Sequence, residues 1–320
     1  MTAKWHIRML DRIEHMLGSQ YGARLRRAAE VGGTILFAVS LVLIAVFVAK
    51  NWQEAKSALA VNHAATMAAA AFYAITLVSS SFAWIFGLHA MGIRLPAKTG
   101  LAVNLLAQAN KYLPGNIFHL MARAVIARRR GVAVVETGLA TVIEVAATAL
   151  ACFSTVAICL AAEPAILGGI ADQSSLNIAY RPLIAGLAIL LVSSLFFIAW
   201  FSKRSPRAIM LSIGAMLVSF FFAGLSFWSV SSGIAGASVQ PVEAIALFAV
   251  AWMVGFLVPG APAGVGIRES ILLLWLTPQI GAGEALAVTL LHRVLTAMLD
   301  LAASLAAFVW LKYDVEELAP

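Results

Sequence analysis

Charge is what this sequence has least of: Asp, Glu, Lys and Arg make up 12% of its 320 residues, against about a quarter in soluble domains. Hydrophobic residues make up 62%. A water-solvated globule is excluded, and the bilayer must be the solvent. Cysteine is nearly absent too. Cys152 and Cys159 sit seven residues apart inside one apolar run, a pattern that supports neither a disulfide framework nor a zinc site. The four aspartates, Asp11, Asp172, Asp300 and Asp314, are too scattered to gather a divalent cation. HExxH, GxSxG and the phosphate-binding P-loop are all missing, so no cofactor, no metal and no chemistry on a substrate are expected. The short alternating segments of a membrane barrel are missing as well. Only helices remain as a way to satisfy the backbone in hydrocarbon.

What is present is a series of long apolar runs. A spanning helix needs about 20 mostly apolar residues, and six segments qualify: 31–49, 64–91, 134–162, 183–201, 208–232 and 284–311. The first lacks a small-x-small cleavage site and is expected to stay as a span. Before it, Trp5, Met9, Ile13, Met16 and Leu17 share one helical face opposite Lys4, Arg8 and Arg12. That pattern fits an interfacial helix or a short solvated one.

Two further apolar stretches, 101–128 and 244–276, are each interrupted by Pro-Gly, at Pro114-Gly115 and Pro259-Gly260. Proline removes a backbone donor and glycine tolerates unusual dihedrals, so each pair breaks its helix.

The basic residues set the topology, because Lys and Arg collect in cytoplasmic loops. They cluster in the N-terminal arm (Lys4, Arg8, Arg12, Arg24, Arg26, Arg27), after the second span (Arg94, Lys98, Lys111, Arg123, Arg128, Arg129, Arg130), after the fourth (Lys203, Arg204, Arg207) and after the sixth (Lys312). This spread over loops, with no basic amphipathic face and no interleaved aromatics, argues against nucleic acid despite a net charge of +7. With both termini cytoplasmic, the charges fit only if each Pro-Gly stretch enters and leaves on one side as a re-entrant hairpin. The hairpin at Pro114 then opens inward and the one at Pro259 outward.

The expected fold is therefore all-α: a polytopic bundle of about six full spans plus two re-entrant hairpins. Residues 1–30 form a cytoplasmic or interfacial arm, 31–311 one transmembrane domain and 312–320 a short cytoplasmic tail. The order span, span, hairpin, span occurs twice, over 31–162 and 183–311, with opposite orientation, which is an inverted repeat. Leu113-Pro114-Gly115 matches Val258-Pro259-Gly260, and an arginine follows each proline by nine residues, Arg123 and Arg268.

A helix broken within a membrane needs protein or a water-filled cavity to satisfy its freed groups, and the half-helix after the break aims its positive end inward. Lys111, Pro114, Gly115, Asn116 and Arg123 around the first break, and Pro259, Gly260, Gly264, Gly266, Arg268 and Glu269 around the second, are the candidate anion-binding residues. The alternative is that the prolines merely kink packed helices. An intramembrane charge costs roughly 2.5–3.5 kcal/mol on insertion scales, so Arg268 must serve either a phosphate or an internal salt bridge. Arg123 either joins that site or snorkels to the interface beside Arg128–Arg130.

Glu144, Arg293 and Asp300 lie inside spans, with Arg293 and Asp300 seven apart on one helix face. A Glu144–Arg293 pair across the repeat axis is expected, as a staple or as a gate. His119 and His292 are either titrating groups or hydrogen-bonded packing residues.

The run Gln108-Ala109-Asn110-Lys111-Tyr112-Leu113-Pro114-Gly115-Asn116 with His119, Arg123 and Glu144 resembles the first conserved block of the lysylphosphatidylglycerol synthase transmembrane-domain family. Pro262-Ala263-Gly264-Val265-Gly266-Ile267-Arg268-Glu269 is similar to its second block, with Ala263 where glycine is frequent. Val145 stands where many relatives carry arginine. The resemblance implies a bacterial cytoplasmic-membrane protein that handles lipids, flipping or scrambling a phosphate-bearing, polyprenyl or hopanoid-type lipid. The alternative it carries is a non-catalytic partner presenting lipid to a glycosyltransferase or another lipid-modifying enzyme.

Overall fold

The computed structural model describes residues 20–58, 62–112, 118–129, 131–163, 205–234, 239–258 and 261–316. All regular structure among them is helical: α1 (Gln20–Ala58), α2 (His63–Ala90), α3 (Ala97–Gln108), a 3-10 turn (Ala109–Tyr112), α4 (Phe118–Arg129), α5 (Val134–Ala162), α6 (Pro206–Ser232), α7 (Pro241–Leu257), a second 3-10 turn (Pro262–Gly264), α8 (Ile267–Ile280) and α9 (Ala282–Glu316). Four of the described helices, α2, α5, α6 and α9, are long and apolar enough to cross a membrane. The protein is thus an all-α, multi-pass membrane bundle. The expected first span lies within α1. The segment 183–201, the arm around Trp5, and Pro114, Gly115, Asn116, Pro259 and Gly260 lie outside the described residues.

The helices start where local chemistry dictates. Asn62 caps α2 by accepting from the N–H groups of Ala64 (3.0 Å) and Ala65 (3.3 Å). Pro206 and Pro241 occupy first-turn positions in α6 and α7, where the missing N–H costs nothing.

The bundle centres on α2 and α6. Hydrocarbon supplies no hydrophobic drive between spanning helices, so small residues and interhelical hydrogen bonds must join them. A ladder of hydroxyls does this here. Ser212 donates to the carbonyl of Ala83 (2.9 Å) and Ser226 to that of Ala69 (2.8 Å). Between them Thr76 and Ser219 exchange reciprocal bonds, each hydroxyl to the other's carbonyl, at 3.3 Å. Both series step by seven residues in opposite directions, so α2 and α6 run antiparallel. Gly224 lets α7 press against α6, since a Cβ there would stand 2.5 Å from the Ile245 Cα.

Each Pro-Gly stretch is two short helices. At 12 residues, α3 and α4 are about 18 Å long, too short to cross hydrocarbon. The arms of the second stretch fold back on each other. Glu243, in the first turn of α7, accepts from Trp275 Nε1 and Gln279 Nε2 near the end of α8, both at 2.7 Å. In the first stretch one apolar cluster joins Leu95 and Val103 to Ala127 and Val132. The two 3-10 turns at the inner ends touch each other.

Candidate functional site: a cationic cavity where the broken helices meet

The meeting point of the two turns borders a cavity of ≈ 160 Å³, bounded by residues of α2 to α9 and of both turns. Lys111, Arg123, Arg268 and Arg293 line it, together with the carboxylates of Glu144 and Asp300. The sequence places these six charges in four separate segments, and the fold brings all of them to one cavity.

Helix α9 fixes both turns. Arg293 Nη2 donates to the Ala263 carbonyl of the second turn at 3.0 Å. Two turns further along, Asp300 meets the first: its Oδ2 lies 2.7 Å from Lys111 Nζ and accepts from the Tyr112 hydroxyl at 2.5 Å. Its Oδ1 accepts from the Tyr73 hydroxyl at 3.0 Å. Ser304 completes the attachment, accepting from the Ala109 N–H (3.0 Å) and donating to the Leu105 carbonyl (2.8 Å).

The expected Glu144–Arg293 pair does not form. Glu144 instead takes a bidentate grip from Arg123, at 3.1 Å from Nη1 and 2.6 Å from Nη2. Arg123 Nη2 also donates to Thr141 Oγ1 (2.9 Å), and its guanidinium lies 4.9 Å from the Trp84 ring centroid. Because α4 is a short arm packed on α5, Arg123 is within reach of the carboxylate. It is 2% exposed and does not snorkel to the interface. Arg293 is engaged by Glu269, with Nε 3.3 Å from Oε1. The other oxygen of Glu269 accepts from the Gly266 N–H at 2.7 Å, so the start of α8 already has an anion of its own.

Arg268 is the exception. It is 7% exposed, and no carboxylate lies within salt-bridge distance of it among the described residues. Its guanidinium sits 4.6 Å from the Phe248 ring centroid, and Nη2 lies 3.4 Å from His292 Nδ1. A guanidinium can only donate, so Nδ1 must accept, and His292 is the neutral tautomer carrying its hydrogen on Nε2. That hydrogen faces Ser226 Oγ at 3.3 Å, and the Ser226 hydroxyl passes on to the Ala69 carbonyl. His292 is therefore a buried hydrogen-bonding link between α9 and the α2–α6 ladder. His119 lies in the first turn of α4, and its side chain is outside the described residues.

The glycines at the second break serve the backbone. Gly264 and Gly266 have φ of +69° and +87°, which L side chains rarely adopt. Ala263, between Pro262 and Gly264, also sits at φ 48°, ψ 28°. The left-handed region costs a non-glycine residue about 1–2 kcal/mol, which is a physical reason for glycine at this position of the motif. Glycine gives back about 0.5–1 kcal/mol in chain entropy. Ala263→Gly is therefore expected to stabilise the protein by up to about 1 kcal/mol, seen as a modest rise in thermal midpoint in detergent. A fall would show that the Ala263 methyl group contributes packing that outweighs the strain.

Tyr73, Asn104 and Ser304 escape a motif-based search, whereas Tyr112 falls inside the first motif without being singled out. A tyrosine, asparagine or serine in an apolar helix carries no sequence signal that it faces a buried charge rather than a neighbouring carbonyl.

No protein-family model and no curated protein matches the chain.

Proposed function

We propose that the protein binds the phosphate-bearing head of a membrane lipid in this cavity and moves that lipid between leaflets, with the acyl chains remaining in the bilayer. The observation that carries the reading is a cavity inside a membrane bundle whose walls hold four cations, one of them buried with no carboxylate in salt-bridge reach among the described residues. An unpaired intramembrane charge is expensive and marks a substrate or ion path. No chemical step on the lipid belongs to this reading.

The proposed frame is the inverted repeat of six spans and two re-entrant hairpins, with both termini cytoplasmic, in a bacterial cytoplasmic membrane. Several features support it. The second span of each half is α2 and α6, and these pack antiparallel with a reciprocal bond at the crossing, as copies related by an in-plane axis would. The 3-10 turns next to the breaks touch each other, as halves related by such an axis around a shared binding site would. The motif residues support membership of the lysylphosphatidylglycerol synthase transmembrane-domain family.

In vesicles, the purified protein should speed transfer of a labelled lipid between leaflets. Arg268→Ala should slow the initial rate at least tenfold, since a hydrogen bond to a charged group contributes about 1.5–3 kcal/mol. If the wild-type protein accelerates none of anionic, aminoacylated, polyprenyl or hopanoid lipids, the proposal fails.

A further inference from the structure

The cavity's charges do not balance, and the imbalance defines a ligand. Lys111 answers Asp300, Arg123 answers Glu144 and Arg293 answers Glu269. His292 is held neutral by its hydrogen bonds. Among the described cations that line the cavity, one positive charge is left over, and it is Arg268.

The repeat gives a reason. Pro114 and Pro259 are 145 positions apart, as are Arg123 and Arg268. In the first half Arg123 finds Glu144, 21 residues on. The same step from Arg268 reaches Thr289, which is neutral, 2% exposed and has no partner for its Oγ1. The second half keeps the cation and lacks the anion.

The unmet hydrogen bonds agree. Among the described residues lining the cavity, the buried polar side-chain atoms without a partner are Asn104 Nδ2, Arg123 Nε and Arg268 Nε. All three are donors. Asn104 is 3% exposed, and its Oδ1 already accepts from Gln108 at 3.1 Å, so only its N–H hydrogens are free. Both lining carboxylates, by contrast, are occupied: Asp300 by Tyr73, Tyr112 and Lys111, and Glu144 by both terminal nitrogens of Arg123. The cavity asks for acceptor oxygens and one negative charge, and both of its carboxylates are already engaged by cations.

We propose that the ligand is a phosphate ester of one net negative charge with no ammonium group, its oxygens shared between Arg268 and Asn104. This rests on the reading that the cavity binds a phosphate-bearing head. It narrows that reading against zwitterionic and aminoacylated lipids, whose ammonium would enter beside Arg268 with no free carboxylate to meet it.

The test is binding to the purified full chain in detergent, read by native mass spectrometry, with phosphatidylglycerol, phosphatidylethanolamine and inorganic phosphate as probes. Phosphatidylglycerol should bind at least tenfold more tightly than phosphatidylethanolamine. Arg268→Gln should remove the difference. Thr289→Glu should remove it too, with Arg268 still present, by supplying the carboxylate that the second half lacks. Asn104→Leu should weaken phosphatidylglycerol severalfold. Should Thr289→Glu fail to fold, Arg268→Gln and Asn104→Leu still decide.

Equal affinity for the two lipids, or a preference that survives Arg268→Gln, overturns the charge rule. In that case leaflet transfer of both lipids that depends on Arg268 would leave the transport reading standing. No binding of either lipid, together with no transfer, ends both. Inorganic phosphate displacing phosphatidylglycerol at equal concentration would support the charge rule and assign the site to a free anion.

Discussion

Glu144→Ala is expected to destabilise the protein by about 3–5 kcal/mol, the loss typical when one member of a buried ion pair is removed. Arg123 is 2% exposed and has the Trp84 ring on one side, so it has no easy route to water once its carboxylate is gone. Thr141 retains one hydrogen bond to Nη2, which is too little to offset a buried guanidinium. The measurement is the thermal midpoint and the fraction surviving extraction in mild detergent. The double variant Arg123→Met/Glu144→Leu should recover most of the loss, because replacing both partners by apolar groups is often neutral or stabilising. A double variant as unstable as the single one would mean that α4 is held on α5 by shape at Arg123 and not by its charge.

That pairing also shows how far the sequence could be read. Scarce charge and long apolar runs specified a helical membrane bundle, since composition reports the solvent directly. The runs at 64–91, 134–162, 208–232 and 284–311 reappear as α2, α5, α6 and α9 with ends shifted by only a few residues. The Pro-Gly interruptions marked where helices stop, because proline and glycine act through local backbone chemistry. Partner choice was not legible. Seven-residue spacing correctly put Arg293 and Asp300 on one face, but it could not say that α9 reaches both turns. Arg293 was matched to Glu144 by repeat symmetry, whereas the shorter reach within α4–α5 wins for Glu144, and Glu269 is nearer to Arg293. Repeat equivalence relates elements, and actual contacts depend on how the arms fold back.

The candidate site follows the same division. Lys111, Arg123 and Arg268 were identified because an intramembrane charge is conspicuous in any apolar sequence. Of the neutral residues that complete the site, Tyr112 lies within the first motif, but Tyr73, Asn104 and Ser304 are invisible because hydroxyls and amides in membrane helices commonly bond to nearby carbonyls. Ser81 does so with Leu77 at 2.7 Å, whereas Ser304 donates to a carbonyl of another helix and also accepts from the Ala109 N–H. Gly264 and Gly266 stand in the sequence as candidate anion-binding residues. Their positive φ gives them a prior duty in turning the chain between Pro262 and α8.

Asp300 ties α2 and the first turn to α9, and Asp300→Ala is expected to have the second large effect. Its carboxylate is fully buried and receives Tyr73 from α2 and both Tyr112 and Lys111 from the first turn. Removal leaves two hydroxyls and an ammonium facing one another. Lys111 keeps a weak contact to Gln108 Oε1 at 3.3 Å, and its side chain is 20% exposed, so part of its charge can be solvated through the cavity. The destabilisation should therefore fall near the lower end of the range for a broken buried pair, about 3 kcal/mol. Its consequence for function should be larger than its consequence for folding. Without Asp300 the first turn keeps Ser304 but loses its charged attachment to α9, and Lys111 becomes a second cation without an anion. Asp300→Ala should then bind phosphatidylglycerol more tightly than the wild type while moving it between leaflets more slowly, because the head group replaces the missing carboxylate and is held there. Tyr73→Phe/Tyr112→Phe, which removes the two hydroxyls and leaves the ion pair, should show the stability loss without the tighter binding. Weaker binding of phosphatidylglycerol by Asp300→Ala would mean that the carboxylate shapes the cavity and does not compete with the ligand for Lys111.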